Sequence, residues 1–136
     1  MWPQNDNRGV AIVEAALTLI MFFTILLGVI EAGRFISVYQ TLTDAAREGA
    51  RLGVAPDSGT SNRPSVSEIE AEVQRFLDSN AVSAAIISVD PNFGTDSEFT
   101  RVRASLDYQV LTVSLFSDLE VNIAGTALMR NETATN

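Results

Sequence analysis

From Val10 to Ile30 apolar residues follow one another without the polar breaks of a surface helix, and Ala15 to Ile30 is a run of sixteen residues with no formal charge. About 21 positions are enough for a helix to cross a hydrocarbon core roughly 30 Å thick. Glu14 is the one charge inside this stretch. The ten Leu, Ile, Val and Phe between Leu17 and Ile30 supply roughly −3 to −6 kcal/mol of insertion free energy. A carboxylate at the membrane centre costs roughly 2.5 to 3.5 kcal/mol, and less near an end. The segment is therefore expected to insert with Glu14 retained at a cost. An acid kept in such a place raises the question of its partner.

Beyond Ile30 the pattern becomes amphipathic. Phe35, Val38, Leu42, Ala45, Gly49 and Leu52 recur at steps of 3, 4, 3, 4 and 3, one face of a helix. Arg34, Thr41, Asp44, Glu48 and Arg51 occupy the other side, with Glu48 and Arg51 spaced to pair. No proline interrupts residues 10 to 55, so one helix to about Gly53 is expected, roughly 65 Å long at 1.5 Å per residue. Ala45, Ala46, Gly49 and Ala50 keep the face narrow and let another backbone approach. The stripe can pack on the chain's own soluble domain and can meet other subunits at another height along the same helix.

Gly53 to Pro64 carries the glycine, proline, asparagine and serine of a linker. Ser65-Val-Ser-Glu68 has the spacing of a capping box, with Ser67 and Glu70 as a rival pair. Val66, Ile69, Val73, Phe76 and Leu77 form the apolar stripe of a second helix ending near Asn80. Ala84 to Val89 is a first strand by composition. In Phe99 to Leu111 the residues Val102, Ala104, Leu106, Tyr108 and Val110 alternate with Arg101, Arg103, Ser105, Asp107 and Gln109, giving one buried and one wet face. Leu119 to Met129 repeats this more weakly. The expected fold class is α+β: a long N-terminal membrane-spanning helix that continues into a small extracytoplasmic domain. That domain adds a second helix and an antiparallel sheet of about three strands packed on the first helix. In numbers, 1–9 is a leader, 10–30 the transmembrane helix and 31–53 its extracytoplasmic continuation, with 54–64 a linker and 65–136 the small domain.

Composition narrows the chemistry. The chain has 136 residues, no Cys and no His, and all nine basic residues are Arg. A disulfide framework, a thiol nucleophile, a Ser-His-Asp relay, a His or Cys metal site and a Schiff-base lysine are excluded by inventory. The 17 acids leave carboxylate chemistry open in principle, but no spacing sets two of them across a cleft. No enzyme, cofactor or metal is expected. The net charge of −8 argues against nucleic acid, whose phosphates demand a basic surface.

The N-terminal leader, MWPQNDNRG, ends in Arg8-Gly9, and Glu14 is the fifth residue beyond that glycine. A secretory signal has an apolar run of about 7 to 15 residues and then a small-residue cleavage site; here the run is longer and no convincing site follows. The arrangement resembles a type IV prepilin. Gly28-Val-Ile-Glu31-Ala-Gly33-Arg34 and Tyr39-Gln-Thr-Leu-Thr-Asp-Ala-Ala-Arg47-Glu48-Gly49-Ala-Arg51 narrow the resemblance to the TadE-like family of minor pilins or pseudopilins of the tight-adherence (Flp, type IVb) pilus system. The resemblance covers residues 9 to about 53. It departs at Ala15, where family members commonly carry an aromatic after the glutamate, and Ala32 follows Glu31.

What the resemblance implies is specific. A prepilin peptidase cuts between Gly9 and Val10, leaving the helix attached with a new amine on Val10. Glu14, one turn in, neutralises the α-amine of a neighbouring subunit in the membrane plane. The partners are then the major pilin, other minor pilins, an inner-membrane assembly platform and the lipid bilayer. The N-terminus is placed in the cytoplasm by the resemblance alone, since Arg34, Arg47 and Arg51 lie close behind the span and the charge rule does not favour that orientation. Read without the resemblance, Glu14 only complements the positive end of the helix dipole, in an uncleaved single-pass anchor carrying an extracytoplasmic binding or scaffold domain.

Smaller signals point to surface features. Asp90 to Glu98 gathers acids but lacks the spacing of a calcium loop, and reads as a solvated turn. Arg101 and Arg103 read as decoration of the wet strand face. Asn131-Glu-Thr133 is a glycosylation sequon by pattern alone. Leu115-Phe116 reads as core or as an exposed apolar turn.

Overall fold

The computed structural model describes residues 8–55, 63–83, 85–94, 98–111 and 119–131. Most of the leader, the middle of the linker, Leu115-Phe116 and the last two sequon positions lie outside the described residues. Helix α1 spans Arg8–Val54, α2 Val66–Ser79, and strands β1, β2 and β3 span Ile86–Phe93, Phe99–Gln109 and Glu120–Arg130. The sheet is an antiparallel meander in the order β1-β2-β3. The fold is α+β, with a long apolar N-terminal helix, a second helix and three strands.

The 47-residue α1 is roughly 70 Å long at 1.5 Å per residue. Arg8 and Gly9 already belong to it, so the helix begins inside the stretch assigned to the leader. Its first half is exposed throughout, and burial begins only where the amphipathic stripe passes the sheet. There Leu42, Ala45, Ala46, Gly49, Ala50 and Gly53 are buried. Val38 and Leu52 are half-buried against the same core.

The close approach is fixed by glycine. A Cβ on Gly125 of β3 would lie 2.4 Å from the backbone of Leu42 and Thr43. A Cβ on Gly49 would lie 2.3 Å from Val73 Cγ2, and one on Gly53 would lie 2.9 Å from both Ile69 and Thr100. The narrow face of α1 thus receives a β3 backbone at one height and α2 side chains at another. Leu42, Ile69, Val73, Leu77 and Val102 are fully buried there, each contributing roughly 1.5 to 3 kcal/mol by removal from water.

Helix α2 forms as its ends dictate. Ser65 is the N-cap: its hydroxyl accepts from the Glu68 amide, and its own amide donates to Glu68 Oε2 at 2.7 Å. The Ser65 amide first, and then the Ser65 hydroxyl, which donates to Glu68 Oε2 at 2.8 Å, hold the Glu68 carboxyl below its ordinary range. At the other end the Val82 amide donates to Leu77 O at 3.0 Å and the Ala81 amide to Asp78 O at 3.1 Å, the two bonds of a Schellman cap. Ala81 takes the positive φ of 57° that this cap requires. Val66, expected on the apolar stripe, is exposed, because the first residue of α2 lies outside its contact with α1.

The strands differ from expectation at their ends. Ala84, the expected start of β1, lies outside the described residues, and β1 spans Ile86–Phe93, so it runs past the expected end at Val89 and carries Pro91 within it. That is permitted because β1 is an edge strand, where a missing N–H need not break a ladder, and its register shifts between Asp90 and Phe93. Asp90, expected in a solvated turn, is a strand residue whose Oδ2 lies 3.5 Å from Arg101. β2 stops at Gln109, two residues before the expected Leu111. Its inward Val102, Ala104 and Tyr108 are buried, while Arg101 and Arg103 are exposed. On β3 Ile123, Gly125 and Ala127 are buried, but Leu119 and Val121 are exposed, since the sheet extends past the α1 stripe at that end. Asn131 is also buried and donates its amide nitrogen to Pro91 O at 3.2 Å, so the sequon nitrogen is engaged inside the fold.

Candidate functional site

Val10 to Ile30 stands exposed on every face. Among the described residues one helix is long and apolar enough to cross a membrane, with a mean hydropathy of 2.5 over its most apolar stretch. It fits a single-pass membrane protein. Thr18 and Thr24 interrupt the run, and each hydroxyl donates to the carbonyl four residues back, at 2.9 Å to Glu14 O and 2.8 Å to Ile20 O. Their polar groups are thereby satisfied within the helix, which is what lipid demands.

Gly9, Val10 and Glu14 lie in the first turns of α1, with Val10 and Glu14 four apart on one face, beside Val13 and Leu17. A Cβ on Gly9 would meet nothing within 4 Å, so the helix itself has no need of a glycine there. None of the ion pairs among the described residues involves Glu14. Among the described residues no three His, Cys, Asp or Glu side chains come together to hold a metal.

Farther up, Leu42, Ala45 and Gly49 of the amphipathic stripe turn inward, while Phe35 remains 37% exposed. On the opposite side Arg51 Nε donates to Glu48 Oε2 at 3.0 Å, and this pairing lowers the Glu48 pKa.

The junction between the apolar run and the domain was not legible in the residue pattern. Tyr108 of β2 donates its hydroxyl to Glu31 Oε1 at 2.6 Å. Arg34 Nη1 lies 3.6 Å from Glu31 Oε2, and the Glu31 side chain is only 12% exposed. The same guanidinium sits 5.4 Å from the centroid of the Tyr108 ring, a cation–π distance. Phe35 meets that ring edge-to-face, with centroids 5.6 Å apart and planes at 89°. Burial first, then the bond to Glu31, raises the Tyr108 pKa, with Arg34 opposing. One turn of α1 directly beyond the apolar run thus grips the end of β2. A buried tyrosine needs a partner for its hydroxyl, and Glu31 is the first charge after the run; those were the available signals.

No curated protein and no solved structure matches the chain. The family model described as TadE-like protein matches residues 9–51, from the glycine before the apolar run to the last turn of α1 beside the sheet, and over this segment the chain is TadE-like.

Proposed function

We propose that this chain is a minor pilin or pseudopilin of a tight-adherence (Flp, type IVb) pilus. It sits in the inner membrane with its N-terminus in the cytoplasm and its α+β domain outside, and a prepilin peptidase processes it between Gly9 and Val10. With the major pilin, other minor pilins and the inner-membrane assembly platform it takes part in assembling or priming the filament. The observation that carries this reading is the unbroken, fully exposed apolar stretch of residues 10–30 at the start of the TadE-like segment, preceded by Gly9 and holding one acid, Glu14. Glu14 makes no ion pair among the described residues, which leaves its carboxylate for the α-amine of a neighbouring processed subunit. Such a pair compensates two charges that are each costly in lipid.

Intact-mass measurement of the membrane-extracted protein tests the proposal. Cells with the peptidase should yield a chain beginning at Val10. Gly9→Val should retain the leader at an unchanged membrane level, because a side chain there meets no neighbour. A mature N-terminus anywhere else would reject processing and favour the uncleaved anchored domain.

A further inference from the structure

We propose that the membrane-side end of the β2–β3 ladder is a second membrane contact, with Leu119 and Val121 seated in the interfacial layer of the bilayer beside α1. The inference rests on the reading of residues 10–30 as the span, and two independent measures of height support it.

Gly125 lies against Leu42. From Gly125 back to Leu119 is roughly 20 Å of strand at about 3.3 Å per residue. Helix α1 descends the same roughly 20 Å in about 13 residues at 1.5 Å each, which runs from Leu42 to Val29. Leu119 is therefore level with the last residues of the apolar run. The second measure is the junction itself. Val121 is registered opposite Tyr108, whose ring and hydroxyl meet Phe35 and Glu31. Leu119 lies two residues beyond Val121, and its carbonyl accepts from the Val110 amide at 3.2 Å. That places it roughly 7 Å closer to the span.

Apolar side chains are exposed among the described residues at this end. Leu111 is 50% exposed, Leu119 45% and Val121 39%. Val29, Ile30 and Ile36 of α1 are exposed as well, and a groove between α1 and the end of β2 is lined by Gly28, Ala32, Ile36, Tyr108 and Val110, with Glu31 among its lining residues. Because Gly28, inside the apolar run, lines this groove, the bilayer is the occupant that α1 itself holds there. Glu120 projects to the opposite strand face from Leu119 and Val121. That arrangement restricts the contact to the interfacial layer, where mixed apolar and polar surface is at home.

The chain contains no cysteine, so one nitroxide can be placed by one substitution in the full chain. The experiment reconstitutes Leu119→Cys, Val121→Cys, Phe22→Cys and Arg103→Cys at low density in phosphatidylethanolamine–phosphatidylglycerol vesicles. It then compares collision rates with oxygen and with a water-soluble nickel chelate. Phe22 should give the highest oxygen-to-nickel ratio and Arg103 the lowest. Leu119 and Val121 should lie several-fold above Arg103. A ratio at Leu119 and Val121 equal to that at Arg103, with Phe22 still deep, would overturn the contact while sparing the span. Low collision rates with both agents at Leu119 would mean that protein, such as a second copy, covers it, and would also overturn the contact. A water-like ratio at Phe22 would remove the span and the proposal together.

Discussion

The hydroxyl of Tyr108 donates to the carboxylate of Glu31 across 2.6 Å and 77 positions of sequence. It joins the end of the sheet to the first charged residue past the apolar run. Because Arg34 faces both partners, the carboxylate is served by a neutral donor and a cation while it is largely withdrawn from water. The domain is thereby held to α1 at its lower end, as Gly125 holds it in the middle.

Tyr108→Phe keeps the ring against Phe35 and Arg34 and removes only the donor. Glu31 then retains Arg34 but loses its shortest bond. The expected loss is about 1 to 3 kcal/mol, the usual range for leaving a withdrawn charged acceptor short of a partner. Urea unfolding of the full chain in micelles, followed by circular dichroism, checks it. An unchanged midpoint would show that the bond contributes nothing.

The same bond sets an alkaline limit. Burial and Glu31 raise the Tyr108 pKa in the folded chain, so folding favours the protonated phenol. The contribution is fully present below the unfolded value of about 10 and is lost as pH rises through the folded value. Thermal stability should therefore fall above about pH 10, and less so in Tyr108→Phe. Absorbance titration in a Tyr39→Phe background, where Tyr108 is the remaining tyrosine, should show ionisation above the free-tyrosine range. Ionisation at the free value would contradict the shift.

Gly125→Ala places a methyl group 2.4 Å from the Leu42 carbonyl carbon and the Thr43 nitrogen. Both are backbone atoms in mid-helix, so neither gives way by a rotamer change. The helix must move off the sheet, at about 1 to 3 kcal/mol or more. Amide exchange should quicken in β3 and in α1 near Leu42, while the Ser65 cap of α2 stays protected. Wild-type exchange throughout would show that the approach is looser than the geometry states.

Glu14→Gln retains size and removes charge. Insertion should be unchanged or improved, since an expensive charge is gone. Assembly should suffer, because a neighbour's amine would lose its counter-charge, at about 3 to 5 kcal/mol for a buried pair. Sheared surface pili, quantified by immunoblot against membrane abundance, give the answer. Normal pili at normal abundance would leave Glu14 as an ordinary helix-end residue.

Local rules carried far along this chain. The apolar run, the proline-free stretch behind it, the Ser65–Glu68 box and the alternation of Val102 to Tyr108 each depend on neighbours within a few residues, so α1, α2 and β2 could be read from spacing. The errors sit at ends. β1 runs on through Pro91, and only the pairing order, which leaves β1 at an edge, makes that proline harmless. Leu119 and Val121 alternate like core residues, but core exists only where α1 covers the sheet.

The sequence by itself determined a helix able to span a membrane, its amphipathic continuation and the inward faces of the domain, because those are periodicities of a single segment. Which glycine admits the helix, which carboxylate receives the tyrosine and how far the sheet descends toward the apolar run were decided by tertiary structure. Each is a meeting of residues far apart in the chain. No periodicity brings Leu42 to Gly125 or Glu31 to Tyr108; only packing one narrow helix face on one twisted sheet sets those heights.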